Sequence, residues 1–221
     1  MQVERFYDCT LYKCDCREIL DTAVYDCIVT DPVWPNVPAG MFEITESPFD
    51  LFKTAAEKFR CKRAVVILRW DSDPRFLSAM PERFAFLRVI NLPYNLPNYC
   101  GRTLGGMEHA YAFGQYPAAP GFKRIIPGIA PSVAFKRSGG SHPCPRPQAH
   151  LDWLVANWAR SDEVVCDPFM GSGTTGVAAV KLGRGFIGAE INQKYFDEAC
   201  RNIERAQIQP SLFRRQNEKN S

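Results

Sequence analysis

Three short apolar runs in this sequence each end at an acidic residue, and this pattern constrains the fold more than any other feature. The runs lead into Asp31, Asp167 and Glu190. Continuous apolar runs of this length are typical of strands that are buried on both faces. Segments with helical spacing lie between them, and alternating strands and helices predict a parallel α/β sheet with helices on both faces.

The remaining elements fit one domain over residues 1–206, followed by a flexible tail over residues 207–221. Residues 1–12 predict a short lead-in, and residues 91–147 are rich in Pro and Gly and predict loop or a small insertion. Further strands are expected over residues 64–68, 84–90 and 111–113, and helices over residues 48–60, 150–160, 174–182 and 195–205.

The composition is that of an ordinary globular chain. Of the 221 residues, 46% are hydrophobic and 23% are charged, which suits a buried core. The sequence has no apolar run near the roughly 20 residues of a membrane span, and its N-terminus lacks a signal pattern, so we expect a cytoplasmic protein. The nine scattered cysteines predict reduced thiols, and their spacing does not favour a metal site.

A basic segment stands out against the small net charge of +3. No Asp or Glu occurs from His109 to Leu151. The basic residues of this stretch are Lys123, Arg124, Lys136, Arg137 and Arg146. Such a segment is either the footprint of a polyanion or a solvated loop that lacks acids, and charge alone favours neither.

The segment from Asp167 to Gly176 contains the pattern G-x-G-x-x-G between a predicted strand and a predicted helix. Glycine there allows a sharp turn and the close approach of a ligand. Glu190 follows Gly176 by 14 residues and ends the next strand, where a carboxylate can bind ribose hydroxyls. The motif in this context predicts a ligand that contains adenosine.

Several interpretations of this loop compete. A P-loop needs a lysine after its last glycine, whereas Thr174 follows Gly173 here. A dinucleotide site needs a sheet that continues, whereas 45 residues follow Gly176. The third interpretation is S-adenosylmethionine in a permuted sheet, and the fourth is a tight turn without any ligand.

The motif Asp31-Pro32-Val33-Trp34, which also follows a buried strand, distinguishes among these interpretations. Together with residues 167–175 it resembles the amino-group DNA methyltransferases of permuted motif order, in which an Asp/Ser/Asn-Pro-Pro-aromatic motif precedes the cofactor motif. Further stretches resemble that family in the same order and cover nearly the whole chain; they are residues 11–16, 108–111, 141–147 and 183–190.

The resemblance implies a Rossmann-like, S-adenosylmethionine-dependent methyltransferase sheet of seven strands, circularly permuted, with a small basic insertion over residues 114–140 that recognises the target. The residues that would hold S-adenosylmethionine are Asp15, Asp167, Phe169, Gly171, Ser172, Gly173, Thr174 and Glu190. Lys123, Arg124, Lys136 and Arg137 would contact the phosphates of double-stranded DNA. A restriction-modification role is typical of the family, and a homodimer is left open.

The chemistry of the family explains the catalytic motif. An exocyclic amine of a base is a poor nucleophile, so acceptors aimed at its N–H groups activate it. The Asp31 carboxylate and the Pro32 carbonyl would be these acceptors, and Trp34 would stack on a base that has left the duplex. Val33 replaces the usual second proline, and Cys14 replaces the glycine that usually precedes Asp15.

The form of the motif favours adenine N6 as the target, because the cytosine-N4 enzymes of the family more often begin the motif with Ser. Methylation of cytosine N4 is one alternative. Another is a homologue that binds nucleic acid but has weak activity because of Val33. An RNA or a protein amide as the substrate is a further alternative.

Overall fold

The structure is a computed structural model that describes residues 1–37, 46–100, 103–117, 126–134 and 146–208, with the backbone alone for residues 97–100 and 103–104. Its strands are β1 (Gln2–Phe6), β2 (Cys9–Lys13), β3 (Cys27–Thr30), β4 (Arg63–Leu68), β5 (Phe86–Cys100), β6 (Thr103–Gly114), β7 (Val164–Asp167) and β8 (Gly185–Glu190). Its α-helices are α1 (Pro48–Glu57), α2 (Gln148–Trp158), α3 (Thr174–Lys181) and α4 (Gln193–Ile208).

The eight strands form one sheet in the order β1-β2-β8-β7-β3-β4-β6-β5. The five central strands, from β2 to β4 in this order, are parallel, and β1, β6 and β5 are antiparallel to their neighbours. The predicted α/β class is confirmed. Strand β3, which leads into Asp31, precedes its neighbour β7, which leads into the glycine loop, by more than a hundred residues, as the permuted motif order predicts.

Helices cover both faces of the sheet, and each face has its own core. Val29 of β3 faces a cluster that contains residues of α2, α3 and α4. The preceding residue, Ile28, faces a second cluster that contains Phe52 of α1 and Phe76 of a short 3-10 helix, Pro74–Ala79. Consecutive residues of a strand point to opposite faces, so a strand between two cores must be apolar throughout. The four predicted helices are confirmed.

The predicted lead-in at the N-terminus is wrong. Residues 2–13 form the hairpin of β1 and β2, with Tyr7 at a positive φ of 50° in the turn, and β2 joins the parallel strands beside β8. Cys9 and Leu11 are buried while Thr10 between them is half-buried. This alternation with a period of two is the sequence pattern that predicts a strand here. The sheet therefore has eight strands rather than seven.

Much of the region expected to be loop after residue 91 is also strand. Strands β5 and β6 form a long hairpin at one edge of the sheet, with an irregular register between Pro93 and Asn98. Proline cannot donate to a sheet ladder, so it is confined to edge strands and bulges, and β5 is such an edge strand.

The expected recognition insertion, residues 114–140, is described in part. Residues 126–134 run along β5, where Asn91 pairs with Ile129 and Tyr94 pairs with Val133. Lys123, Arg124, Lys136 and Arg137 lie outside the described residues. The expected tail begins inside α4, which continues to Ile208, and residues 209–221 also lie outside the description.

Candidate active site

Three adjacent parallel strands bring the predicted acidic residues to one edge of the sheet. Strand β3 ends just before Asp31, while β7 and β8 end at Asp167 and Glu190. The Thr30 hydroxyl donates a hydrogen bond of 2.7 Å to Asp167 Oδ1 and so joins the ends of β3 and β7. The two sequence motifs, far apart in the chain, therefore meet at the carboxyl edge of the sheet, where ligands bind in α/β folds.

Asp167 is a buried carboxylate held by neutral donors. Besides Thr30, it accepts hydrogen bonds from the Thr175 hydroxyl at 2.6 Å and from the backbone N–H of Phe169 at 3.1 Å. Burial raises the pKa of Asp167 to about 7, although these three hydrogen bonds oppose the rise. Asp167 thus fixes the start of the glycine loop, and sequence reasoning missed Thr30 and Thr175, its two side-chain partners.

The glycines of the loop serve the turn and the packing of α3. Gly173 has a φ of 83°, in the left-handed region that favours glycine, and a Cβ there would lie 3.0 Å from Ala199. A Cβ on Gly176 would lie 2.4 Å from Ile203 Cδ1 and 2.7 Å from Phe186. Gly173 and Gly176 therefore let α3 pack closely against α4 and β8, which the glycine pattern alone did not predict.

Glu190 faces the loop from the end of β8. Its Oε2 accepts the Gly171 N–H at 3.1 Å, and its Oε1 accepts the Asn192 N–H at 2.8 Å. Burial raises the pKa of Glu190, and among the described residues it has no ion pair. The backbone N–H of Ile191 also hydrogen-bonds to this carboxylate. A carboxylate has about four acceptor positions, so about one remains for a further donor such as a ribose hydroxyl.

The other predicted cofactor residues surround this loop. Ser172 is buried, and its carbonyl accepts a hydrogen bond of 2.9 Å from Asn202. Thr174 begins α3, and the half-buried Phe169 lies 6.5 Å from the Phe52 ring, between centroids. All of them lie between Asp167 and the first residue of α3.

Asp15 is near the end of β8, because the N–H of Cys14 donates to the Glu190 carbonyl at 3.2 Å. Its carboxylate, however, is held by Arg17, whose Nε lies 2.9 Å from Oδ1 and whose Nη2 lies 2.5 Å from Oδ2. This hydrogen bonding to Arg17 lowers the pKa of Asp15. Asp15 therefore has a local structural role as the cap of a 3-10 helix, Cys16–Glu18.

Asp31 is paired with Arg146, from the segment before α2. Nε of Arg146 lies 2.6 Å from Oδ2 of Asp31, and Nη2 lies 3.1 Å from Oδ1. The Trp34 indole N–H also donates to Oδ1, at 2.9 Å. The side chain of Asp31 is 19% exposed, so part of it is open to solvent.

Trp34, which is expected to stack on the target base, is largely covered by its neighbours in this structure. It is 3% exposed, and the guanidinium carbon of Arg146 lies 4.7 Å from its ring centroid. The cation–π contact and the hydrogen bond to Asp31 hold the indole inside the loop, so in this arrangement it orders Asp31.

The loop that follows Asp31 is anchored to the turn after β4. Asn36 donates to the carbonyl of Asp71 at 3.2 Å and accepts a hydrogen bond from the Ser72 hydroxyl at 2.8 Å. The backbone of Pro32 and Val33 lies between Asp31 and this anchor, which restricts its position.

Glu108 of β6 is the second carboxylate on Arg146, at 2.8 Å between Oε1 and Nη1. Its Oε2 accepts the backbone N–H of Trp70 at 3.0 Å. Burial raises the pKa of Glu108, and Arg146 opposes that rise. Burial alone would lower the pKa of Arg146, but Asp31 and Glu108 raise it well above its usual range. Sequence reasoning noted Glu108 and Arg146 within motifs without assigning them a role.

Within the described residues, no group of three or more His, Cys, Asp and Glu side chains is placed to hold a metal ion. Likewise, none of the described helices is long and apolar enough to cross a membrane.

Comparison with known families agrees with this site. The family model described as DNA methylase, which covers N6 and N4 enzymes, matches residues 28–201. The chain belongs to the DNA methylase family. The matched range includes both Asp31 and Glu190, so the two motifs of the chain lie within it.

Curated relatives match the chain over shorter segments. The type II methyltransferase M2.DpnII of Streptococcus pneumoniae is 38% identical over 65 residues, which are 29% of the chain and 24% of that protein. The type II methyltransferase M.HinfI of Haemophilus influenzae is 37% identical over 71 residues, 32% of the chain and 20% of that protein. The matched segments thus span a quarter or less of these relatives.

Solved structures share the fold of the chain over most of its length. A complex of M1.HpyAVI with SAM gives a TM-score of 0.63 at 24% identity and covers 88% of the chain and 98% of that protein. The PvuII DNA methyltransferase, described as cytosine-N4-specific, gives a TM-score of 0.64 at 17% identity. The match covers 88% of the chain and 86% of that protein. These similarities confirm the predicted methyltransferase-type sheet.

Proposed function

We propose that this chain transfers a methyl group from S-adenosylmethionine to the exocyclic N6 amine of adenine in double-stranded DNA. The observation that carries the proposal is the hydrogen bond between Thr30 and Asp167, which joins the strand end before Asp31 to the start of the glycine loop. Membership of the DNA methylase family supports the same reaction class.

The residues beside the glycine loop fit S-adenosylmethionine. Glu190 is a half-buried carboxylate that three backbone N–H groups orient and that keeps about one acceptor position, which suits a ribose hydroxyl. The loop from Asp167 to Thr174 would hold the rest of the cofactor. Asp15 would contribute through the end of β2, since Arg17 holds its carboxylate. The M1.HpyAVI complex with SAM supports this cofactor.

Asp31 and Pro32 would activate the target amine. Bound S-adenosylmethionine would supply an electrophilic methyl group. Asp31 would accept a hydrogen bond from one N–H of the amine, and the Pro32 carbonyl would accept one from the other, so the nitrogen lone pair is less delocalised into the ring. Val33 provides the next backbone carbonyl of this loop, while Trp34 orders Asp31.

Adenine is proposed as the target base because the motif begins with Asp31, as the resemblance implies for N6 enzymes. Phosphate contacts would come from the basic segment, at Lys123, Arg124, Lys136 and Arg137. Such contacts give affinity that falls steeply with salt. M2.DpnII and M.HinfI are type II methyltransferases, and a place in restriction-modification is proposed on that likeness.

The test is the transfer of labelled methyl from S-adenosylmethionine to unmethylated DNA. Wild type is compared with Asp31→Asn, which removes the charge with little change of shape, and with Asp162→Asn at an exposed ion pair. We expect label in N6-methyladenine, a loss of at least 100-fold in Asp31→Asn, and full activity in Asp162→Asn.

Label in N4-methylcytosine would show that the target base is cytosine rather than adenine. Absence of label in any DNA, while S-adenosylmethionine binding persists, would contradict the proposed function and favour an RNA or protein substrate or a homologue that only binds DNA.

A further inference from the structure

The acceptor positions of Asp31 are nearly filled. A carboxylate has about four lone-pair positions, two on each oxygen. Oδ1 accepts from Trp34 at 2.9 Å and from Arg146 at 3.1 Å, and Oδ2 accepts from Arg146 at 2.6 Å. The described residues therefore leave one position, on Oδ2. A single free position fixes where an amine N–H can bind.

The charge of this cluster matters as much as its geometry. Arg146 carries one positive charge and contacts two carboxylates, Asp31 and Glu108, within 2.8 Å. Arg146 is 10% exposed and Glu108 is 8% exposed, so water screens these charges weakly. The three side chains together carry a net charge of −1. Without Glu108 the cluster would be neutral, with a guanidinium beside the reacting nitrogen.

Glu108 is itself firmly held. Its Oε2 accepts the Trp70 N–H at 3.0 Å, and β6 places it opposite Leu92 of β5. The Tyr94 hydroxyl is 3.4 Å from Oε1. Because Glu108 is fixed by the sheet, it can fix the guanidinium, which in turn fixes Asp31.

We propose that Glu108 is a positioning residue for methyl transfer: it holds Arg146 so that Asp31 presents one free acceptor position, and it keeps the site negative. This inference rests on the proposed function. The amine nitrogen would form its bond to the methyl carbon as the methyl–sulfur bond breaks, with the neutral thioether S-adenosylhomocysteine as the leaving group. The nitrogen would then carry positive charge until it releases a proton to solvent. A site of net charge −1 stabilises that charge in the transition state, whereas the neutral pair of Asp31 and Arg146 alone does so far less.

The test uses Glu108→Gln, which removes the charge but keeps an acceptor for Trp70. We expect kcat for DNA methylation to fall by about 10- to 100-fold, with the KM for S-adenosylmethionine within about twofold of wild type. Glu108→Asp keeps the charge and should recover part of this loss.

The matched control is Glu163→Gln. Glu163 forms the other buried ion pair of this kind among the described residues, at 2.6 Å from Arg63, which begins β4 at the opposite edge of the sheet. This change should lower the melting temperature while leaving kcat within about twofold of wild type. If Glu108→Gln fails to fold, Arg146→Lys keeps the charge and loses the bidentate geometry, and should lower kcat in the same way.

Unchanged kcat in Glu108→Gln beside an active wild type would overturn this inference alone. Equal losses of kcat in Glu108→Gln and Glu163→Gln would also overturn it, because they would indicate a general effect of stability. A wild-type chain that methylates no DNA would overturn the proposed function and this inference with it.

Discussion

The Thr30 hydroxyl and the Asp167 carboxylate lie 2.7 Å apart, although 137 residues separate them in the chain. Thr30 ends the strand that leads into Asp31, and Asp167 begins the glycine loop. This buried hydrogen bond therefore sets the spacing between the two halves of the site. Asp167 also receives donors from Thr175 and Phe169, so the bond is part of a small network.

Thr30→Val should destabilise the fold by about 1–3 kcal/mol, because it leaves a buried carboxylate with one donor fewer at nearly constant side-chain volume. The Thr30 hydrogen bond lowers the pKa of Asp167, so its loss should raise that pKa further. The destabilisation, measured by urea unfolding, should accordingly be larger at pH 8 than at pH 5.

Thr22→Val is a suitable control for Thr30→Val. Thr22 is exposed, and its hydroxyl donates to the Ile19 carbonyl at 3.2 Å. It should change stability by about 0.5 kcal/mol or less. Equal effects of the two substitutions at both pH values would contradict the assigned role of Thr30.

Asp167→Asn should change the pH dependence of stability. In the wild type, the pKa of Asp167 rises from 3.8 in the unfolded chain to about 7 in the fold because of burial. Between these values the folded state binds more protons than the unfolded state, so stability falls as pH rises from about 4 to about 7. Asparagine does not titrate, so the variant should not lose this stability as the pH rises.

The measurement is the free energy of unfolding of both proteins from pH 4.5 to pH 8. Relative to wild type, Asp167→Asn should gain stability as pH rises, by up to about 1.4 kcal/mol for each unit of the pKa difference. Parallel curves for the two proteins would show that the carboxylate is not perturbed by burial.

Much of the site was predictable because it lies at the ends of strands. Asp31, Asp167 and Glu190 each follow an apolar run, and the carboxyl ends of parallel strands meet at one edge. The partners of these residues were less predictable. Arg146 reaches Asp31 across 115 residues, and no local pattern in the sequence encodes that pairing.

The hairpins at the sheet edges were missed for a different physical reason. Strand β5 contains prolines that ordinarily indicate loop, but an edge strand with an irregular register tolerates them. An acidic residue within an apolar strand, as Glu108 is in β6, is a signal that could have been used. A buried charge requires a partner, so such a residue predicts an ion pair.

Glu190→Gln should weaken S-adenosylmethionine binding by at least tenfold. Both carboxylate oxygens accept backbone N–H groups, from Gly171 and Asn192. A glutamine amide would place its own N–H₂ group against one of these donors and would have fewer acceptors for ribose hydroxyls. Titration calorimetry with S-adenosylmethionine gives the change in Kd directly.

Glu204→Gln, on the exposed face of α4, serves as the control for that titration and should leave Kd unchanged. Burial raises the pKa of Glu190. On acidification, S-adenosylmethionine binding to the wild type should therefore begin to weaken at a higher pH than it would with a carboxyl group of ordinary pKa. A Kd within twofold of wild type for Glu190→Gln would contradict the ribose contact.

Gly176→Ala tests whether the third glycine of the loop serves packing. The added Cβ would lie 2.4 Å from Ile203 Cδ1 and 2.7 Å from Phe186, in a core that cannot expand freely. Overpacking of this kind costs about 1–3 kcal/mol.

Ile203→Val removes the clashing Cδ1 atom, and alone it should cost about 1 kcal/mol. The double variant should therefore be more stable than the sum of the two single changes predicts, as measured by denaturant unfolding in a double-mutant cycle. Strict additivity would show that the Gly176–Ile203 contact is not what requires glycine.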